Sequence, residues 1–215
     1  MVGFNALPVL ALGMAFSNST VRSNIANSCN RKTLLTLDEE SLLYVIGELS
    51  HEVIAFNVTI PPAKNMLPIE GFAPNIIPPD VHPDHQAMMD SAEICRHPTN
   101  PGILYVTNRW ERHIAERSEH LQSASLSKPQ GDAIAIIVLS LCGTKVERIK
   151  HVRTKLDVIR GMRISEDGTY AVAVGQESAG VEIYEIGGSV GDEWHLAASL
   201  YEGLQGGFKH AIWTD

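Results

Sequence analysis

Cysteine is scarce in this chain. Cys29, Cys95 and Cys142 stand far apart and form no CxxC pair. A structural zinc site or a disulfide framework needs thiols in closely spaced or paired patterns, so neither is expected. Cys95 and Cys142 read as residues buried within strands. The nine histidines form no HExxH pattern. His82 and His85 fall in a proline-rich loop, which gives them a surface role, and spacing alone does not make a metal site of them with His97. Clustered positive charge is also lacking. The net charge is −8, and the basic run over residues 145–155 is interrupted by valine and isoleucine at strand spacing. That is a solvated strand face, and it excludes nucleic acid as a partner, which would need a clustered basic surface. The apolar N-terminal run, residues 4–16, is too short to span a bilayer comfortably, so no membrane partner is expected. Amphipathic helical periodicity is weak throughout, which makes the chain all-β.

What is present is a globular composition, 44% apolar and 20% charged over 215 residues. That is enough for a sizeable core. Within it one strand-like segment recurs three times, each copy ending in a polar residue. The copies run Leu42 to Glu48, Ile103 to Arg109 and Tyr170 to Gln176. A turn-like patch precedes each, and a second β-rich run follows each, at residues 53–58, 133–138 and 181–186. A repeated multi-strand unit means a propeller or an array rather than one sandwich. The repeat makes Glu48, Arg109 and Gln176 equivalent positions. In a ring such positions converge on one face, where a carboxylate, a guanidinium and an amide meet.

Residues 1–30 read as an irregular or signal-like N-terminus, and residues 31–215 as the propeller part. The run at 4–16 looks like a secretory h-region, although no Lys or Arg precedes it. The sequons at Asn18 and Asn57 matter only on a secretory route. The first repeat is expected over residues 33–58. Residues 60–83 hold Pro61, Pro62, Pro68, Pro74, Pro78, Pro79 and Pro83, which predicts an extended loop instead of sheet. The second repeat covers residues 91–139, with a polar insertion at 110–130 between two strands of one blade, where Glu116 and His120 share a face of a short helix. Residues 145–151 supply its outer strand. In the third repeat, residues 160–164 are an inner strand, 165–168 a hairpin turn and 195–200 an outer strand. The tail, residues 208–213, reads as one more inner strand. Three units and a spare strand make an incomplete ring of three to four blades, whereas closed propellers typically have four to eight. Either the repeats self-associate through uncovered blade edges, or the chain is the C-terminal part of a longer propeller.

The stretch Arg160-Gly161-Met162-Arg163-Ile164-Ser165-Glu166-Asp167-Gly168, continuing through Tyr170-Ala171-Val172-Ala173-Val174-Gly175-Gln176 to Val181-Glu182-Ile183-Tyr184-Glu185-Ile186, resembles the last full blade of the seven-bladed lactonase-type propellers. That family includes bacterial 6-phosphogluconolactonase and the fungal 3-carboxy-cis,cis-muconate cyclase. Leu43-Tyr44-Val45-Ile46-Gly47-Glu48 and Leu104-Tyr105-Val106-Thr107-Asn108-Arg109 fit two earlier blades, and His210-Ala211-Ile212-Trp213 the closing strand. The resemblance implies a metal-free, cofactor-free fold with a cleft at the central face. It implies a site built in the cyclase from a His, two Arg and a Glu. Glu48 matches the Glu and Arg109 the second Arg. Lys32, next to Arg31, stands where the first Arg is expected. The His belongs to an earlier blade, and His210 is a candidate substitute. Arg160 matches a recurring Arg-Gly of the family's blades and, with Gln176, is expected to line the same cleft.

These residue types suit a small carboxylate or lactone substrate. Arginine's planar fork pairs with carboxylates, and a cation stabilises charge that builds during addition. Glu48 either orients an arginine or shuttles a proton. Three functions follow: a muconate-cyclase-like cycloisomerase, a lactone hydrolase of the 6-phosphogluconolactonase type, or an inactive propeller fragment that binds or supports. An open, positive cleft around Arg109 and Glu48 would favour the first. A basic phosphate-binding cluster would favour the second. A bare structural pair between blades would leave the third. The family's chemistry implies the cytoplasm, and a signal peptide at residues 1–17 would imply secretion.

Overall fold

The computed structural model describes residues 13–17, 40–59, 67–117, 129–177 and 180–214. Lys32, Cys29, His120 and the Asn18 sequon lie outside them. Three antiparallel four-stranded sheets are present, each a simple meander. The first holds β1 (Gly13–Ser17), β2 (Glu40–Ile46), β3 (Val53–Thr59) and β4 (Leu67–Pro68). The second holds β5 (Asp90–Arg96), β6 (Ile103–Arg109), β7 (Ala133–Leu139) and β8 (Val146–Arg153). The third holds β9 (Ile159–Ile164), β10 (Tyr170–Gly175), β11 (Val181–Gly187) and β12 (Glu193–Leu200). The inner strands touch in series, β1 against β5 and β5 against β9, as blades do around a hub. This is an all-β, partial propeller, with α1 (Pro83–Gln86) and α2 (Glu111–Arg117) as short inserts.

The core lies between the sheets. Leu42, Tyr44, Ile46, Val53 and Ala55 pack on Leu104, Val106, Ala135 and Ile137 of the second sheet. On its other face, Tyr105, Ile134 and Ile136 pack on Ile159, Met162 and Ala173 of the third. The middle sheet is thus covered on both sides. This is why β6 and β7 are buried at every position, and why β7 and the first four residues of β6 read as continuous apolar runs instead of alternating ones.

One clamp repeats at both junctions. The Tyr44 hydroxyl donates to the Gly143 carbonyl at 2.8 Å, and the Tyr105 hydroxyl to the Gly191 carbonyl at 2.8 Å. Each glycine sits in the turn before the next blade's outer strand at positive φ (70° and 89°). A Cβ on Gly143 would fall 2.5 Å from the Tyr44 hydroxyl, so the turn needs glycine for both reasons.

Several expectations change. The first blade's inner strand is β1, inside the segment read as signal-like, and pairs Gly13 with Ile46 through Ser17 with Leu42. A short apolar run does not distinguish a strand from an h-region until its partner is known. The proline-rich segment contributes β4, whose two residues pair with Phe56 and Asn57 at the sheet edge, where a proline's missing N–H costs nothing. Residues 208–213 are not a strand but an irregular segment laid along β9, and the count among the described residues is three sheets. A Cβ on Gly161 would meet the Lys209 carbonyl oxygen at 2.4 Å, which shows how closely the two backbones approach. Cys142 lies in the β7–β8 turn, not in a strand, and is disulfide-bonded, whereas Cys95 is free. His85 is buried, not at the surface. Among the described residues no helix is long and apolar enough to cross a membrane.

Candidate functional site

The second strands of all three blades end at one rim of the hub, and the inner strands of the second and third blades begin there. Glu48 is in the turn that follows β2, and Arg109 is the last residue of β6. The turn is docked on β5: the Ser91 N–H donates to the Glu48 carbonyl at 3.0 Å and the Ser91 hydroxyl to the Gly47 carbonyl at 3.0 Å. That docking brings Glu48 Oε1 onto Arg109 Nη2. The same Nη2 donates to the Ser91 carbonyl at 2.9 Å and lies 3.6 Å from Asp90 Oδ2. Asp90 accepts the Trp110 indole N–H at 2.9 Å. The Arg109 side chain is 4% exposed and the Glu48 side chain 18% exposed, so Glu48 is the member that a small molecule reaches. Arg109 Nε is buried without a hydrogen-bond partner.

Glu48 and Arg109, which the repeat aligns, are thus in contact. The sequence did not indicate that Asp90 is opposite Arg109 in the ladder and gives the guanidinium a second carboxylate neighbour. Two carboxylates face the one guanidinium, so the surroundings of Arg109 are acidic, not positive. Gln176 does not join the pair. Its amide donates to Glu177 at 3.3 Å, and its backbone N–H to the Val158 carbonyl at 2.9 Å. Lys32 lies outside the described residues.

Arg160 is the extra residue of an irregularity in β9, where Ile159 pairs with Gly175 and Gly161 with Val174. The corresponding stretch of β5, between Ser91 and Ile94, is irregular in the same way and carries Glu93. Bulges re-aim side chains, and Arg160 is exposed with no ion pair among the described residues. The Thr107 hydroxyl accepts the Glu93 N–H at 3.0 Å and fills the gap that the β5 bulge opens. Glu93 in turn pairs with Arg163 at 3.2 Å and lies 3.8 Å from His210 Nδ1. His210 thus belongs to a hub cluster with Glu93 and Arg163, not to Glu48 and Arg109, and its side chain is 66% exposed.

Asp132, immediately before β7, is fully buried and was not singled out by the sequence. Burial, with Asp157 adding to it, pushes its carboxyl up to about 7. Burial holds His51 and His151 below the usual imidazole range. Both His51 ring nitrogens lack a hydrogen-bond partner. No group of three or more metal-ligating side chains forms among the described residues.

A family profile described as lactonase, seven-bladed β-propeller, matches residues 15–199. No curated protein matches. Among solved structures, a candidate 6-phosphogluconolactonase from Bacteroides fragilis is 17% identical, with a TM-score of 0.54 over 74% of this chain and 36% of that one. A protein from Lactobacillus plantarum is 15% identical, with a TM-score of 0.57 over 79% of this chain and 40% of that one. The periplasmic gluconolactonase of Pseudomonas aeruginosa is 12% identical, with a TM-score of 0.55 over 77% of this chain and 38% of that one. At these identities the likeness is one of fold, and the chain spans well under half the length of each. The match over most of its residues and the three meander blades lead to one conclusion: the chain belongs to the lactonase, seven-bladed β-propeller family.

Proposed function

We propose that this chain supplies part of the site of a lactone-acting enzyme, with Glu48 as the proton-carrying group and Arg109 as the residue that aims it. The observation that carries the reading is the Glu48–Arg109 pair, formed across a blade junction with its carboxylate on the solvent side. Ring opening is the direction that the geometry supports best. Arg109 is buried and already has Glu48 and Asp90 as neighbours, so it is not free to bind a substrate carboxylate. A neutral lactone ring makes no such demand. Glu48 takes a proton from water as the water oxygen bonds to the lactone carbonyl carbon. The ring C–O bond then breaks, and the proton passes to the departing alkoxide oxygen. Arg160, exposed on β9, is the cation we assign to an anionic group on the substrate. The names of two fold neighbours, a gluconolactonase and a candidate 6-phosphogluconolactonase, are in keeping with ring opening.

The second reading is a different reaction, cycloisomerisation of a muconate, in which one carboxylate oxygen of a tricarboxylate adds across a conjugated double bond and the adjacent carbon takes up a proton. Arg160 favours it, because a cation with no ion pair among the described residues suits a polyanion. A single experiment separates the two. The purified chain is incubated with a gluconolactone, with acid release followed by pH-stat, and separately with 3-carboxy-cis,cis-muconate, with loss of the diene absorbance followed. Glu48→Gln is expected to lower the active reaction about 10²- to 10⁴-fold, the usual range for a removed acid–base group. Arg109→Ala is expected to abolish it. Equal rates in wild type and both variants would remove the pair from the site.

A further inference from the structure

Three described residues other than glycine adopt left-handed backbone: His51, Trp110 and Val158, with φ of 56°, 77° and 58°. For a bulky aromatic and a β-branched residue this conformation is rare and must be held from outside. Trp110 and Val158 are held by the same group. Asp132 Oδ2 accepts the Trp110 N–H at 3.1 Å and the Val158 N–H at 2.7 Å. Its Oδ1 accepts the Arg112 N–H at 3.4 Å, in the first turn of α2. The Asp132 backbone is pinned as well. Its N–H donates to the Leu156 carbonyl at 2.7 Å, and its carbonyl accepts from the Thr154 N–H and hydroxyl at 3.1 and 2.8 Å.

Each held segment carries a rim residue. Trp110 directly follows Arg109, and its indole fixes Asp90 beside that guanidinium. Val158 leads into β9 and Arg160, and its carbonyl accepts the Gln176 N–H. From these contacts we infer that Asp132 is the positioning residue of the rim, a single ionised carboxylate that fixes the strand ends bearing Arg109, Arg160 and Gln176 and whose protonation loosens them. The inference rests on the reading that this rim is the site. Protonation turns one carboxylate oxygen into a donor, so the group no longer accepts all three amides. The charged and titratable groups around Asp132 are Asp157 from the β8–β9 connection and Arg112 and His113 from α2. His113 Nδ1 lies 3.4 Å from Asp157 Oδ2. With its carboxyl near 7, Asp132 changes state within the neutral range.

The test is nuclear magnetic resonance on the ¹⁵N-labelled chain from about pH 5.5 to 8.5, a window centred on the raised value. The Trp110 indole N–H and the Trp110 and Val158 backbone N–H signals are expected to titrate together near pH 7. In Asp132→Asn the shared titration is expected to vanish. Asp157→Asn, which removes only the neighbouring charge, is expected to move the midpoint down by about one unit and keeps the test available if Asp132→Asn does not fold. In the lactone assay, kcat is expected to fall below pH 7 with KM unchanged, and to lose that dependence in Asp132→Asn. Signals that are flat through neutrality, that still titrate in Asp132→Asn, or that keep their midpoint in Asp157→Asn would overturn the assignment. An intact titration without turnover of either substrate would support Asp132 as the rim's anchor and would overturn the lactone reading alone.

Discussion

Asp132 has an energetic consequence at the scale of one residue. An acid whose folded value stands above its unfolded one binds its proton more tightly in the folded chain. The proton stabilises the fold as a whole by removing a buried charge even as it frees the amides at the rim, and that contribution is complete below about pH 4, the ordinary carboxylate range. It is lost as the pH rises through about 7. Thermal unfolding of the wild type is therefore expected to lose ground between about pH 5 and 8 relative to Asp132→Asn, whose side chain does not titrate in this window. Parallel slopes for the two proteins would assign the dependence elsewhere. Glu182 is a contrasting buried carboxylate. It accepts the Tyr184 hydroxyl, the Tyr201 hydroxyl at 2.6 Å and the Lys155 N–H at 2.9 Å, so its partners are mostly side chains instead of strained backbone. Glu48 and Arg109 were legible as a pair because the repeat aligned them. Asp132 was not, because nothing local distinguishes a carboxylate at the start of a strand. Its role exists only once the segments at 110 and 158 arrive on either side.

Elements were legible where burial on both faces left continuous apolar runs, as in β6, β7 and β10. They were missed where pairing depended on a distant partner, as in β1 and in β4. The tail is the opposite case, since residues 208–213 carry a strand-like pattern and form no ladder. They lie on β9, where the Trp213 indole donates to the Arg163 carbonyl at 3.4 Å and its ring meets that of Tyr170 at 6.4 Å. Gly161 permits this contact. Gly161→Ala would place a methyl group 2.4 Å from the Lys209 carbonyl oxygen and 2.8 Å from the His210 Cα. The expected outcome is a displaced tail, read as faster tryptic cleavage at Lys209 and a changed Trp213 fluorescence, with the thermal midpoint of the sheets little altered. An unchanged cleavage rate would show that the tail gives way without leaving β9.

Across the whole molecule, stability runs from blade to blade. Among the described residues the main contacts run between adjacent sheets, so the junctions act as separate terms, as in other repeat architectures. Tyr44→Phe and Tyr105→Phe each remove one buried hydroxyl–carbonyl bond and leave a carbonyl without its donor, at a cost of about 1 kcal/mol. The two clamps share no partner, so the double variant is expected to lose about the sum in urea unfolding. A double variant no worse than either single one would mean that the junctions are not independent. The order of residues alone determined the blade repeat, the all-β class and the meeting of Glu48 with Arg109, because strand period and repeat spacing are local and additive. Tertiary structure alone decided that Arg109 is flanked by two carboxylates, that the left-handed Trp110 and Val158 share one acceptor, and that a closing strand became a covering tail. Those outcomes depend on which distant groups reach one another, and no window of sequence holds both partners.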